Sequence, residues 1–225
     1  MQSTANKPFD SSTMVWGGCV HAKPAWRWVS ERGLLLQTDD STLARYTALA
    51  GGRFPELEDI IPADDSLLLV LRPGVQASAE LWAELAAPLD AVRTESGKLH
   101  EIPVEYGGDA GPDLQGVAEQ AGIDAATYVG LHVAVEYTVA FLGFQPGFPY
   151  LRGLPGPLHA PRRPSPRTRV PAGSVAIGGT YTGIYPGQGP GGWQLIGRTS
   201  TTLFDPERDP PALLLPGDRV RFVPG

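Results

Sequence analysis

The side chains of this chain that are best suited to anion chemistry are arginines, and they are concentrated in one stretch. From Tyr137 to Phe204, 68 consecutive residues contain no Asp or Glu, so this stretch carries +6 and the remainder −12 within a net charge of −6. Guanidinium groups bind carboxylates and phosphates through two parallel hydrogen bonds. We therefore expect an anionic ligand or an acidic protein partner here, rather than only a solvated basic face. The arginines are Arg152, Arg162, Arg163, Arg167, Arg169 and Arg198.

Two of these arginines have a spacing that favours a shared ligand. Arg167 and Arg169 lie two residues apart, and alternate residues of an extended segment point to the same side. The pair is therefore predicted to clamp a carboxylate or a phosphate.

His132 lies at the end of a predicted helix, shortly before the arginine-bearing stretch. A neutral imidazole can act as an acid, a base or a hydrogen-bond donor near neutral pH. A single histidine between apolar neighbours is equally typical of a core residue, and both interpretations stay open at this point.

The segment Phe141–Leu151 combines four aromatic residues with Gly and Pro. Such a segment can form a stiff apolar wall against a small ligand, although aromatic residues also belong in cores.

Three other sequence motifs do not indicate a binding site. Gly187–Gly192 matches the spacing of a dinucleotide-binding loop, but Pro190 interrupts it and a strand is predicted to follow. Gly97–Lys98 lacks the upstream glycine of a phosphate-binding loop. His132 and Glu136 have no third ligand nearby, so no metal site is expected.

Composition narrows the class of protein. The net charge of −6 argues against nucleic-acid binding by the whole chain, and the single cysteine, Cys19, indicates a reducing compartment. The first thirty residues contain no apolar run long enough for a signal or membrane segment. We expect a cytoplasmic protein.

The elements that must position these residues fall into two groups. The first half alternates apolar strands and capped helices in the order β-α-β-β-α-β, which is the pattern of a ferredoxin-like domain. The last strand of this pattern could instead begin the second domain. The predicted strands are 33–38, 57–61, 66–71 and 99–105, and the helices begin at Ser41 and Ser78.

Two short helices, 112–120 and 124–133, are predicted next, and the sequence that follows them is much richer in Gly and Pro. From Gly143 to Gly225, 30 of 83 residues are Gly or Pro, and between them lie short apolar segments. Regularly punctuated short strands predict an all-β barrel or sandwich. The predicted strands are 175–177, 181–185, 193–196, 202–204 and 219–223.

Several long runs of this sequence resemble one family of proteins. It contains the bacterial 5-oxoprolinase component PxpB, also called allophanate hydrolase subunit 1, and the sporulation kinase inhibitor KipI. The resemblance extends from about residue 30 to the end. The runs are 107–114, 142–151, 166–175, 182–186, 190–199 and 216–220.

This resemblance implies an α+β protein with a small N-terminal domain and a cyclophilin-like closed β-barrel. The implied organisation is an N-terminal extension at 1–28, the α+β domain at 29–95 and the barrel at 96–225. It also implies a complex with a PxpA-like subunit and a KipA/PxpC-like subunit that opens 5-oxo-L-proline at the expense of ATP. ATP, with Mg²⁺, would be bound jointly with a partner subunit, and the chain alone is expected to be inactive.

The resemblance also suggests roles for individual residues. His132 and Arg169 are the candidate catalytic residues. The candidates for binding substrate or nucleotide are Arg167, Arg198, Tyr185, Trp193, Gln194 and Phe148. No structural metal, nucleic acid or membrane is expected.

Two residues depart from the family pattern, and two other functions compete. Tyr181 stands where Gln is common, and Arg152 stands where Gly is usual.

The alternatives to a 5-oxoprolinase subunit are a KipI-like inhibitor of a sensor histidine kinase and a subunit of a urea- or allophanate-related amide hydrolase. The sequence contains no Ser-Ser-Lys catalytic apparatus, which an allophanate hydrolase of the amidase kind would need, and this argues against the second alternative.

Overall fold

The computed structural model of this chain describes residues 26–38, 41–87 and 97–225. The first two ranges form a four-stranded antiparallel sheet in the order β1-β2-β4-β3, with two helices packed on one face. These elements are β1 (Trp26–Trp28), β2 (Gly33–Gln37), α1 (Thr42–Leu49), β3 (Leu57–Pro62), β4 (Ser66–Leu71) and α2 (Ala79–Ala86).

Alternation in the strands and a cap on the second helix explain this first unit. Every second residue of β4 is buried, because Leu67, Leu69 and Leu71 point towards the helices. Leu81 and Leu85 of α2 lie one turn apart and pack into the same core. The helix begins after Ser78, whose hydroxyl oxygen accepts a 3.0 Å hydrogen bond from the backbone N–H of Leu81.

The residues from 99 onward form a closed barrel of seven strands in the order β10-β7-β6-β13-β5-β12-β9, with a two-stranded ribbon of β8 and β11. β5 and β13 pair in parallel, which joins the start of the barrel to the end of the chain. Two helices contribute Leu114 and Tyr128 to the core inside the barrel. These elements are β5 (Leu99–Tyr106), α3 (Leu114–Gln120), α4 (Ala125–Val133), β6 (Tyr137–Leu142), β7 (Pro149–Arg152), β8 (Arg167–Val170), β9 (Ser174–Gly178), β10 (Tyr181–Ile184), β11 (Gly189–Gly191), β12 (Gln194–Arg198) and β13 (Arg219–Pro224).

The predicted fold class, α+β with a closed β-barrel, is confirmed. The last strand of the predicted ferredoxin-like pattern belongs to the barrel, as the alternative interpretation had it. Ile102 and Val104 of β5 are buried in the barrel core. The fourth strand of the first sheet is instead β1, which pairs with β2. The predicted boundary at 95–96 falls in residues 88–96, outside the described residues, and stays a prediction.

Two local predictions need correction. The predicted extension at 1–28 lies outside the described residues up to residue 25, but Trp26–Trp28 form a strand on the edge of the sheet. The predicted strand at 202–204 is wrong, because only Phe204 makes an isolated bridge, to Ala212. Within the described ranges, no helix is long and apolar enough to cross a membrane.

Candidate functional site

A second cluster of mostly buried aromatic residues packs against the outer side of the barrel strands. In β9, Val175 and Ile177 point into the barrel core, whereas Ala176 between them joins a second cluster on the opposite face. We call this second cluster, together with the two tyrosines packed against it, the aromatic face. Its aromatic members are Phe148, Tyr150, Tyr181, Tyr185 and Trp193.

The rings of the aromatic face meet edge to face. The Phe148 centroid lies 5.1 Å from that of Tyr185 and 5.4 Å from that of Trp193, and Tyr150 also lies 5.4 Å from Trp193. Interplanar angles between 82° and 89° match the geometry that the ring quadrupole favours. Phe148 of the segment 141–151 is buried in this cluster, as the core-packing interpretation has it, and contact of the segment with a ligand stays a prediction.

Glycines allow the rings to lie directly on the strands of the barrel and of the ribbon. A Cβ atom at Gly178 would lie 2.5 Å from the Trp193 ring, and one at Gly191 would lie 2.3 Å from the Tyr185 hydroxyl. Neither contact is possible for a real side chain, so the glycines are required by this close approach.

Two arginines beside the aromatic face share one carboxylate, so the three side chains together keep a net charge of +1. Asp113 Oδ1 accepts hydrogen bonds from Arg163 Nη1 at 3.1 Å and from Arg167 Nη2 at 2.8 Å. Its Oδ2 accepts a 2.7 Å bond from the backbone N–H of Leu195 in β12. Sequence reasoning missed Asp113, although it lies in the quoted run 107–114. The pair that was predicted to share a ligand is thus divided, because Arg167 is held by Asp113 and Arg169 is exposed.

A third arginine joins the two parts of the chain. Arg152 Nη2 of β7 donates to Oδ1 of Asp64 at 2.5 Å and to its backbone carbonyl at 2.6 Å. The Tyr181 hydroxyl of β10 donates to the same carboxylate. Asp64 lies in the turn between β3 and β4, so the two residues that depart from the family pattern meet at one acid across the two units.

The remaining arginines keep their charge available. Among the described residues, Arg162, Arg169 and Arg198 form no ion pair. The Arg162 guanidinium lies 6.0 Å from the Trp193 ring centroid, at the edge of the aromatic face. Arg198 is exposed at the end of β12, where it is paired in register with Glu105 of β5.

His132 lies inside the barrel and not on the aromatic face. It is 0% exposed, and its ring stacks on Phe222 with centroids 4.6 Å apart. Its Nδ1 lies 2.8 Å from the Tyr106 hydroxyl and its Nε2 lies 3.1 Å from the Thr182 hydroxyl. Burial lowers the pKa of His132 to about 3, so the ring is neutral at physiological pH. The geometry gives no support to the predicted catalytic role, because a solute cannot reach the ring.

The other predicted site residues fall into two places. Phe148, Tyr185 and Trp193 meet in the aromatic face, and Gln194 begins the next strand, where its Nε2 donates to the Pro161 carbonyl at 3.0 Å. Arg169 and Arg198 lie on exposed parts of β8 and β12. Because Phe148, Tyr185 and Trp193 are buried, a ligand at this face would contact the exposed Arg162 and the half-buried Tyr150 and Tyr181.

The donor set of this region does not suit a nucleotide with Mg²⁺ on its own. Mg²⁺ is held by carboxylates and phosphates, and residues 137–204 contain no carboxylate side chain. Among the described residues, no group of three His, Cys, Asp or Glu side chains could hold a metal ion. We therefore derive no chemical step of this chain through bound ATP or Mg²⁺.

Comparison with known proteins places the chain among relatives of one kind. A family model described as carboxyltransferase domain, subdomain C and D, matches residues 24–214. The 5-oxoprolinase B subunit of Escherichia coli O157:H7 is 51% identical over 177 residues, which are 76% of this chain and 79% of that protein. The 5-oxoprolinase B subunit of Bacillus subtilis (strain 168) is 41% identical over 184 residues, 76% of each chain.

Solved structures share the fold. The crystal structure of TTHA0988 superposes with a TM-score of 0.73 at 39% identity and covers 86% of this chain. This chain spans only 40% of the length of that one. A urea amidolyase from Lachancea kluyveri matches over 63 residues at 43% identity, which are 26% of this chain and 3% of that protein.

Proposed function

The chain belongs to the carboxyltransferase-domain family, subdomains C and D, together with the 5-oxoprolinase B subunits, and we propose that it is the B subunit of an ATP-dependent 5-oxoprolinase. One observation carries the proposal. Identity of 51% to a named 5-oxoprolinase B subunit extends over 76% of this chain and 79% of that relative. Similarity over most of both chains supports a shared role more strongly than a shared fold does.

The proposed reaction opens a lactam ring. Water adds across the bond between the carbonyl carbon and the ring nitrogen, the nitrogen gains a proton, and 5-oxo-L-proline becomes L-glutamate. Hydrolysis of ATP to ADP and phosphate drives the step. A lactam carbonyl resists water until its oxygen is activated, and the negative charge that develops there needs fixed donors.

We assign to this chain the binding of the substrate rather than of the nucleotide. The half-buried rings of Tyr150 and Tyr181 at the border of the aromatic face are the ones that a small planar lactam would contact, and Arg162 beside Trp193 offers a cation to its carboxylate. The shared carboxylate of Asp113 offsets one of the two charges of Arg163 and Arg167, so the rest of the positive charge of the site comes from the unpaired arginines and from this trio. The PxpA-like and PxpC-like subunits would complete the site and bring ATP with Mg²⁺.

The proposal is tested by reconstitution. Glutamate release from 5-oxo-L-proline is measured with this chain and its candidate PxpA-like and PxpC-like partners, with and without ATP, and with each protein omitted in turn. We expect turnover only when ATP and all three proteins are present. Turnover by this chain alone would contradict the proposed division of labour, and absence of turnover with all three intact proteins would overturn the proposed function.

The competing functions have less support from this chain. The match to a urea amidolyase covers 26% of this chain, so it does not favour an allophanate-related role over the proposed one. No specific contact or charge among the described residues distinguishes a surface for a sensor histidine kinase from a surface for another acidic partner.

A further inference from the structure

One residue of the turn between β6 and β7 is unfavourable in the isolated chain on two counts. Phe144 has a backbone φ of 67°, and among the described residues it is the non-glycine residue with a positive φ. Its side chain is 60% exposed, more than any other large apolar side chain in the described ranges. A β-carbon disfavours this backbone region, and an exposed ring gains little from burial.

The surrounding turn holds Phe144 in this conformation. The backbone N–H of Phe148 donates to the Gln145 carbonyl at 3.0 Å, and the N–H of Gly143 donates to the Phe148 carbonyl at 3.2 Å. The Phe144 ring stands edge-on to Phe148 and Tyr185, with centroids 5.6 Å and 6.2 Å away. The ring is therefore presented to solvent from a rigid base at the rim of the aromatic face.

The same turn contacts the two-stranded ribbon of β8 and β11, which carries Arg169. The Gln145 amide lies against Gly189 of β11, where a Cβ atom would stand 2.5 Å from Gln145 Nε2. Gly189 pairs with Val170 of β8, and the residue before Val170, Arg169, is exposed and has no ion pair among the described residues. The Gln145 Oε1 atom is buried and lacks a hydrogen-bond partner within the described structure.

The strain and the exposure of Phe144 would be offset by contact with another protein. A strained and largely exposed aromatic ring gains little from the isolated fold, whereas buried aromatic anchors dominate protein interfaces. The exposed Arg169 on the neighbouring ribbon and the absence of acids from residues 137–204 favour a partner that carries carboxylates. In the relative TTHA0988, of which this chain covers 40%, most of the polypeptide lies outside the region shared with this chain.

We propose that Phe144 anchors the docking of the PxpC-like subunit. The ring enters an apolar pocket of that partner, and carboxylates at the border of the pocket face Arg169. This inference rests on the proposed function, because that function supplies the partner. It goes beyond it by assigning the contact surface and its chemistry.

The decisive variant is Phe144→Gly, because glycine accepts the positive φ while it removes the ring. Binding of the purified candidate PxpC-like subunit is measured by titration calorimetry, and the Tm of each isolated variant is measured in parallel. We expect a Tm equal to or above that of the wild-type chain and at least a tenfold weaker Kd. The matched control is Val75→Ala, which truncates another exposed apolar side chain far along the sequence and is expected to leave the Kd unchanged.

A second variant tests the charge. Arg169→Glu is expected to slow association with the PxpC-like subunit and to reduce the salt dependence of the association rate, with little change in Tm. An association rate equal to that of the wild-type chain at low salt would remove Arg169 from the contact.

The outcomes separate this inference from the proposed function. If the wild-type chain binds the PxpC-like subunit and Phe144→Gly binds it equally well, the docking role is overturned and the proposed function stands. An unchanged Kd combined with a raised KM for 5-oxo-L-proline would assign the ring to substrate instead, and a lowered Tm would assign it to the fold. If the wild-type chain does not bind the PxpC-like subunit at all, the proposed function fails and the docking role fails with it.

Discussion

The Tyr106 hydroxyl donates a hydrogen bond to Nδ1 of His132, 2.8 Å away, and this contact fixes the state of the imidazole inside the barrel. The Thr182 hydroxyl donates to the Ala176 carbonyl, so it accepts from His132 Nε2, which must carry the proton. Tyr106 then has to be the donor on the other side of the ring. The arrangement is satisfied only with a neutral ring.

Protonation of His132 is therefore predicted to oppose folding. Burial lowers its pKa from 6.5 to about 3, so below pH 6.5 the unfolded chain binds more protons at this site than the folded chain. Stability contributed by the neutral ring is complete above pH 6.5 and is lost as the pH falls from 6.5 towards 3. One proton changes the free energy of unfolding by at most about 1.4 kcal/mol per pH unit.

Urea unfolding between pH 7.5 and 5 checks this prediction, and His132→Gln is expected to flatten the dependence. Because that variant could unfold, NMR titration of the wild-type histidine ring supplies an independent measurement. A His132 resonance that titrates near pH 6.5 in the folded chain would contradict the prediction.

The Asp113→Asn substitution is predicted to destabilise the barrel by about 2 kcal/mol, because two neighbouring arginines lose the carboxylate that they share. The Asp113 side chain is 11% exposed, and those of Arg163 and Arg167 are 35% and 22% exposed, so solvent screens the pairs only in part. Chemical denaturation measures the change. Asp109→Asn, at an exposed position in the same loop, is the control and should change stability by less than about 0.5 kcal/mol. Equal effects at the two positions would show that the pairs do not matter.

The Gly178→Ala substitution is predicted to displace the Trp193 ring and to weaken substrate binding. The new methyl group would lie 2.5 Å from the ring atoms, and overpacking of this kind costs about 1–3 kcal/mol. KM for 5-oxo-L-proline in the reconstituted complex and near-ultraviolet circular dichroism report the two effects. Gly187→Ala is the matched control, because nothing lies within 4 Å of a Cβ atom there. An unchanged KM in the Gly178 variant would remove Trp193 from the substrate site.

The contact between Asp64 and Arg152 is predicted to orient the two units while adding little stability. Both side chains are substantially exposed, at 57% and 38%, and such pairs contribute about 0.2–1 kcal/mol. A double-mutant cycle with Asp64→Asn and Arg152→Ala should give a coupling energy in that range that shrinks in high salt. Small-angle scattering of the same variants should show a wider range of orientations between the first sheet and the barrel. A coupling energy of zero together with unchanged scattering would refute the contact in solution.

Local patterns in the sequence predicted much of the fold. The apolar run 66–71, the capping serine Ser78 and the short strands between Gly and Pro are all patterns of neighbouring residues. Helices and strands that depend on such neighbouring residues were predicted well, including α4 and β10. The strand at 202–204 was wrong because its apolar residues occupy a loop whose single bridge, between Phe204 and Ala212, has no local pattern.

The candidate site was predictable only as a list of residues. The aromatic wall and the acid-free arginine stretch are contiguous in sequence, so their composition could be recognised directly. The arginines that form ion pairs do so with acids that are far away in the sequence. Asp113 is 50 residues before Arg163, and Asp64 is 88 residues before Arg152. Nothing in the spacing of the residues indicates such pairs.

By itself, the sequence determined the class of fold, the segregation of charge and the presence of a rigid aromatic segment, because each depends on neighbouring residues. The tertiary structure alone decided that His132 points into the barrel, that the aromatic residues lie outside it, and that Phe144 adopts a strained and exposed conformation. Closure of the barrel causes this division. It sets which face of each strand is enclosed and brings together side chains that are far apart along the chain.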